Sequence, residues 1–473
     1  MIGICEVETR GRIMTINPVA EWVDEILQEF GELFTDLAKT CELRGRPRFD
    51  EKGHWKRTPT PIFNFNAVWH EKMEEIYSLP TAGPAARHLL DQEKVELNND
   101  APYKSFSEAS EGYKRTILMV AIGLVRQYLE EGHSTDSLDK ESFTSIYEQH
   151  IEHWKSDTVT HRMTMPILGF LCAEEFAVDE KITVVELTSE DKTDLAWELM
   201  EARTLSDLGA AEFCATASYE RDKRGSSNAN KNLRRKFDAF VAALRFFGGG
   251  RVATAGIFRT APDVPDSFSQ GASRSPHSNF RLPVDVGQSM GFPTSTRERL
   301  LLTADKIDDF RELYQLVEKV YSRKPQFRKL EMPFKRFHQT YRRSTAEDKI
   351  IDLTIALEGT VLSDIRHELS YRLALRGAAL VKKEHDPGDT YETLRALYEA
   401  RSQIVHVGKR LREIANTNDE IKGVPRDELI SRAKNVTRKI FIEYLKRLKK
   451  KKSLTEINRV LDEGFVEAMA DLT

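Results

Sequence analysis

Cysteine is scarce in this chain of 473 residues: Cys5, Cys41, Cys172 and Cys214 stand far apart. No C-x-x-C pair occurs, so neither a zinc-ribbon spacing nor a dithiol redox motif is on offer, and a reducing, cytoplasmic compartment is expected. Long apolar runs are also missing. The longest, Ile117 to Val125, has nine residues, against the ~20 that span a bilayer. Glu6, Glu8, Arg10 and Arg12 interrupt any apolar secretion segment at the start. Neither G-x-x-x-x-G-K-[ST] nor H-E-x-x-H is present, which removes the phosphate-loop and zincin readings. What remains is an ordinary globular composition: 40% hydrophobic and 31% charged residues, with 25 Gly and 17 Pro.

The net charge of −4 conceals two unlike halves. Residues 1–300 hold 36 Lys and Arg against 47 Asp and Glu, whereas residues 301–473 hold 35 against 28. The second part can attract polyanions, and the first repels them.

Hydrophobic periodicity predicts helices over 18–41, where Val19, Val23, Ile26, Phe30, Leu33 and Leu37 share a face, and over 111–131. The Pro- and Arg-rich interval 44–61 reads as loop. Ile182 to Leu187 is the best strand candidate, and Thr188-Ser-Glu-Asp191 caps a helix running to about Arg203. After a polar break at 222–231, Leu233, Phe237, Phe240, Val241, Leu244 and Phe247 predict another helix that stops at Gly248-Gly-Gly250. Those glycines precede a strand-like stretch, Val252 to Phe258, the reverse of a dinucleotide-binding turn. The Pro-, Ser- and Asp-rich interval 261–279 reads as a linker. From there the pattern is helical: 306–322, 334–343, 345–366, 368–383, 390–407, 426–450 and 453–469. The expected fold is α+β, mainly α, in three parts: a mainly helical region 1–165, an α+β region 166–300 and an all-α bundle 301–473.

His150 and His153 could offer two metal ligands from one helix, but no third is near, and exposed histidines are the simpler expectation. Arg401 and His406 are separated by four residues, a spacing that chance alone would produce about once in a chain of this composition, so the surrounding residues must give the pair its meaning. Ile351, Ile355 and Leu362 mark the apolar stripe of the helix capped by Ser344-Thr-Ala-Glu347, and Glu358 falls on that stripe. An acid there implies a basic partner, the alternative being that it reaches solvent at the stripe's edge. Arg401 lies on the stripe of the helix that begins near Asp389, with Leu394, Leu397 and Ile404. His406 follows at that helix's end, before Gly408. On an ideal helix it points about 140° away from Arg401, because five residues turn through ~500°; two copies of the chain packed on these helices would then be needed to assemble a compact site.

At these residues the sequence resembles the HEPN superfamily of helical domains, many of them metal-independent ribonucleases with an R-x4-6-H motif, and within it the ApeA-like branch of bacterial anti-phage proteins. The matching segments are Ile351-Asp-Leu-Thr-Ile-Ala-Leu-Glu358, Ser370-Tyr-Arg-Leu-Ala-Leu-Arg-Gly-Ala-Ala379 and Leu397-Tyr-Glu-Ala-Arg-Ser-Gln-Ile-Val-His406. They lie within residues 300–450. Many members place Gly directly after the His; here Val407 intervenes. The resemblance implies a HEPN bundle, a homodimer formed through it, and cleavage of RNA, with transfer RNA a candidate, in abortive infection released by a phage-derived trigger. It implies Arg401 and His406 as catalytic residues, with no metal or other cofactor and no membrane partner. Asp352 and Glu358 are expected to orient Arg401, and Arg376 to support the site or form a salt bridge. Lys449, Lys450 and Lys451, in the basic run from Lys446 to Lys452, could hold an RNA backbone or form a solvated helix end. The alternative is a non-catalytic RNA-binding or dimerisation module in a defence or toxin-antitoxin system.

Overall fold

The computed structural model describes residues 17–40, 46–58, 72, 74–91, 111–134, 137–156, 158–196, 202–222, 229–249, 252–260, 299–341, 343–362, 367–417, 425–450, 453 and 455–462. The linker reading over 261–279 lies outside them. The fold is α+β and mainly α, and among the described residues no helix is long and apolar enough to cross a membrane.

The first part is helical. Helices α1 (Pro18–Thr40), α2 (Ala82–Asp91), α3 (Glu111–Glu130) and α4 (Lys140–Lys155) close on a core of their own. The stripe read on α1 enters that core: Val19, Trp22, Val23 and Ile26 are fully buried. Between α1 and α2 the interval read as loop forms a hairpin, β1 (Arg46–Phe49) with β2 (Trp55–Thr58), because Gly53 takes φ +76° and turns the chain tightly.

An antiparallel sheet follows. Its long central pair is β3 (Thr158–Leu168) with β7 (Phe213–Asp222), registered from Thr158 opposite Asp222 to Ile167 opposite Phe213. Strands β5 (Phe176–Ala177) and β6 (Thr183–Glu186) extend the β7 side, while β8 (Ala253–Thr254) and β9 (Phe258–Thr260) pair with β3. The predicted strand at 182–187 is β6, two residues shorter than expected. The long strands escape a period-2 reading because six consecutive residues of β3, Met163 to Leu168, are buried, which erases the alternation. Strand β4 (Phe170–Cys172) pairs in parallel with β10 (Leu300–Leu302). Two short helices, α5 (Ser189–Leu195) and α6 (Ala202–Ala210), stand where one was expected, and with the β1–β2 hairpin they cover a small third core.

Helix α7 (Ala229–Gly248) ends where the glycines predicted, with Gly249 at φ +66°. The helices beyond it are α8 (Ile307–Tyr321), α9 (Glu331–Gln339), α10 (Ala346–Val361), α11 (Leu369–Val381), α12 (Pro387–Ser402), α13 (Leu411–Thr417) and α14 (Arg426–Lys449). No core boundary falls at residue 300. One apolar cluster runs from Met163 through α7 to Leu461. Its centre is Phe246 of α7, stacked 5.1 Å from Phe337 and set edge-on at 4.8 Å to Phe334 and 5.7 Å to Phe441. Burying such a ring contributes about 1.5–3 kcal/mol. Arg438 of α14 fastens the same joint by donating to the carbonyls of Phe246 and Phe247, the unsatisfied end of α7. Helices α1–α4 keep a core separate from the one that the sheet shares with the later helices.

A paired arginine and histidine at a π turn

Helix α12 starts at Asp386, whose side chain accepts from the Asp389 amide at 2.8 Å, with Pro387 in the first turn. Leu394, Leu397 and Ala400 are fully buried against the bundle. Opposite Leu394, Gly377 of α11 leaves no room for a side chain: a Cβ there would lie 2.2 Å from Leu394 Cδ1. This close approach fixes α12 against α11.

Beyond Ser402 the helix widens. Residues Gln403–Val407 form a π-helical turn, in which the Gly408 amide donates to the Gln403 carbonyl five residues back. Ile404, Val405 and Val407 are β-branched and disfavour regular α geometry, and Gly408 exits at φ +73°. The turn alters the expected site. Closing five residues per hydrogen bond instead of four brings Arg401 and His406 onto one side, with Arg401 Nη1 3.4 Å from His406 Nε2. The 140° separation expected of an ideal helix is absent, and a single chain brings both groups together. His406 is exposed and Arg401 half-buried. Arg401 Nη1 donates to the imidazole when Nε2 is the unprotonated nitrogen.

Glu358 lies beside Arg401, as its place on the α10 stripe implied. Burial pushes its carboxyl above the ordinary range, while the Arg401 charge and a hydrogen bond from Tyr398 pull it back. Tyr398, one helical turn before Arg401, was not singled out by the sequence. Its hydroxyl donates to Glu358, and its ring lies 6.0 Å from the Arg401 guanidinium. Only the i, i+3 spacing to Arg401 hinted at it; the Glu358 contact depends on how α10 meets α12. Arg401 Nε is shielded and has no acceptor among the described residues.

Other expected site residues are engaged elsewhere. Asp352 does not orient Arg401. It is 1% exposed and accepts from Arg336 at 3.0 Å and Arg343 at 2.7 Å, because six residues along α10 turn it about 120° off the Glu358 direction. Arg376 takes its salt-bridge alternative: 1% exposed, it grips Asp462 with Nε at 2.7 Å and Nη2 at 2.6 Å and donates to the Val361 carbonyl. Lys449 pairs with Glu312, and Lys446 with Glu443 and Glu384. Lys450 is exposed at the end of α14, and Lys451 and Lys452 lie outside the described residues. Of the described part of the basic run, Lys446 and Lys449 are thus already matched by acids. His150 is fully buried rather than exposed, its Nε2 2.8 Å from Gln127 Oε1. Among the described residues no three His, Cys, Asp or Glu side chains gather as a metal site requires.

No protein-family model, curated protein or solved structure matches the chain.

Proposed function

We propose that the chain is a HEPN-type endoribonuclease that cleaves RNA by attack of a 2′-hydroxyl on the adjacent phosphate, without a metal. The observation that carries this reading is the π turn, which holds an exposed imidazole against a guanidinium in contact range. In such a reaction O2′ bonds to phosphorus, the P–O5′ bond breaks, the 2′ proton goes to a base and O5′ takes a proton from an acid. The products are a 2′,3′-cyclic phosphate and a 5′-hydroxyl. His406 is the base or the acid, since an imidazole nitrogen can accept a proton and, once protonated, donate one. Arg401 binds two phosphate oxygens and offsets the charge that develops on them. Glu358 and Tyr398 hold Arg401 in place. A second copy of the chain, docked through the bundle, would supply a second His406, so that one accepts a proton while the other donates.

The resemblance to HEPN defence proteins is what supports a role in anti-phage abortive infection, with transfer RNA a candidate target. A toxic nuclease needs restraint, and the acidic residues 1–300 are the part that would repel RNA until a phage-derived trigger acts.

Incubating purified protein with total RNA in EDTA tests the reading. Cleavage leaving 2′,3′-cyclic ends is expected, with Arg401→Ala and His406→Ala each slower by about a hundredfold or more. Efficient cutting of a 2′-deoxy substrate would exclude the nucleophile, and intact RNA that co-purifies with the protein would favour a binding module instead.

A further inference from the structure

The donors of Arg401 are not equally placed. Nη1 reaches the His406 imidazole at 3.4 Å, while Nε is shielded from solvent and has no acceptor among the described residues. A phosphate arriving from solvent can use the Nη groups but not Nε, so the guanidinium has an open edge for substrate and a covered edge for an internal acid. The carboxyl beside it is that of Glu358, half-buried near the end of α10. The helix itself cannot shift there. A Cβ on Gly359 would lie 2.9 Å from Pro333 Cγ of α9, and Arg376 Nη1 holds the Val361 carbonyl at 2.7 Å. Only the Glu358 side chain and its proton are left to respond. Tyr398 and Arg401 of α12 are the titratable and charged groups that act on it. Those on the other elements packed against α10 are engaged elsewhere: Arg336 of α9 and Arg343 meet Asp352, Arg376 of α11 meets Asp462, and Lys434 of α14 donates to the Thr340 carbonyl.

We propose that Glu358 is an exchangeable counterion of Arg401: it is ionised against the guanidinium while the site is empty, and it takes a proton from water when a substrate phosphate claims that guanidinium. With the site empty, the Arg401 charge and the Tyr398 hydroxyl favour the carboxylate, and burial favours the neutral acid. A bound phosphate offsets the Arg401 charge and adds a like charge nearby. Both changes favour protonation. The coupling is reciprocal: phosphate raises the proton affinity of Glu358, and raising the pH through the range of Glu358 weakens phosphate binding. The inference rests on the reading of Arg401 as the phosphate-binding group and adds how that group is regulated.

The test titrates a short oligouridine into full-length protein carrying His406→Ala, so that the RNA stays intact and His406 contributes no proton. Calorimetry in paired buffers of different ionisation enthalpy, from about pH 5 to pH 7, reads the protons taken up. Net uptake is expected, and it disappears when Glu358→Gln is added. Affinity is expected to fall about tenfold across that range with Glu358, one unit of pKa coupling being a factor of ten. With Glu358→Gln it stays at the low-pH value. Tyr398→Phe removes the donor to the ionised form, so it moves the fall to higher pH. Identical pH profiles with and without Glu358→Gln, proton release on binding, or weaker binding by Glu358→Gln at every pH overturns the exchange. If adding Arg401→Ala leaves affinity unchanged, Arg401 holds no phosphate, and the exchange falls together with the cleavage reading. If the proton uptake appears but wild-type protein never cuts RNA, the cleavage reading falls and the exchange stands. If wild type cuts and the uptake is missing, the exchange alone falls.

Discussion

Glu358 carries a carboxylate into a half-buried seam between α10 and α12, where burial outweighs the help it receives from Arg401 and Tyr398. The folded chain binds that proton more tightly than the unfolded chain does. Stability from this group is therefore greatest while it is neutral, and it falls as pH rises through the carboxylate range. A Glu358→Gln variant never ionises, so it is expected to gain melting temperature relative to wild type between about pH 4 and pH 7. If wild type gains instead, the ion pair with Arg401 outweighs desolvation. The need for a partner at Glu358 was legible in the sequence, because a helix stripe shows its own polar intruder. The partners of Asp352 and Arg376 were not: Arg336, Arg343 and Asp462 reach them from other elements, and spacing along one helix cannot reveal that.

At the scale of an element, the π turn at Gln403–Val407 decides whether the site exists within one chain. The sequence showed a helix over 390–407 and a glycine at 408, yet a regular helix would have separated the two groups. Helical periodicity describes an average, and one widened turn changes the facing of every later side chain. Gly408 makes the exit possible at φ +73°, and a Cβ there would meet nothing within 4 Å. Gly408→Ala should therefore carry only the backbone cost of the left-handed conformation, about 1 kcal/mol in denaturant-measured stability. On the proposed ribonuclease reading, a proportionally larger loss of cleavage is expected, because relaxing the turn moves His406 away from Arg401. Equal losses of folded protein and of cleavage would mean that the turn has no part in the chemistry.

At the scale of the molecule, the sheet and the bundle share one core. Phe246, Phe240 and Leu244 of α7 are fully buried among residues of the later helices and the sheet. A fragment of residues 301–473, the part that the sequence set apart, would expose Phe334, Phe337 and Phe441 where Phe246 packs. It is expected to bind a hydrophobic dye and to melt without cooperativity, whereas residues 157–473 should melt as a unit in calorimetry. A cooperative melt of the shorter fragment would restore a boundary at 300. The shared core also offers a physical route by which residues before 300 could bear on the site, since α7 touches α9 and α14 directly.

Local chemistry was enough to set the helices, several of their ends and the mainly α composition, because caps, glycine exits and apolar stripes act within a few residues of themselves; Arg401 and His406 stood out only through the HEPN resemblance. Tertiary structure alone decided that β3 and β7 form the sheet's long pair, that one apolar cluster holds residues from both sides of position 300, that Lys449 meets Glu312, and that Arg401 meets His406, Glu358 and Tyr398 together. Each of those outcomes depends on groups brought close from distant positions or on a single irregular turn, and neither leaves a periodic trace in the chain.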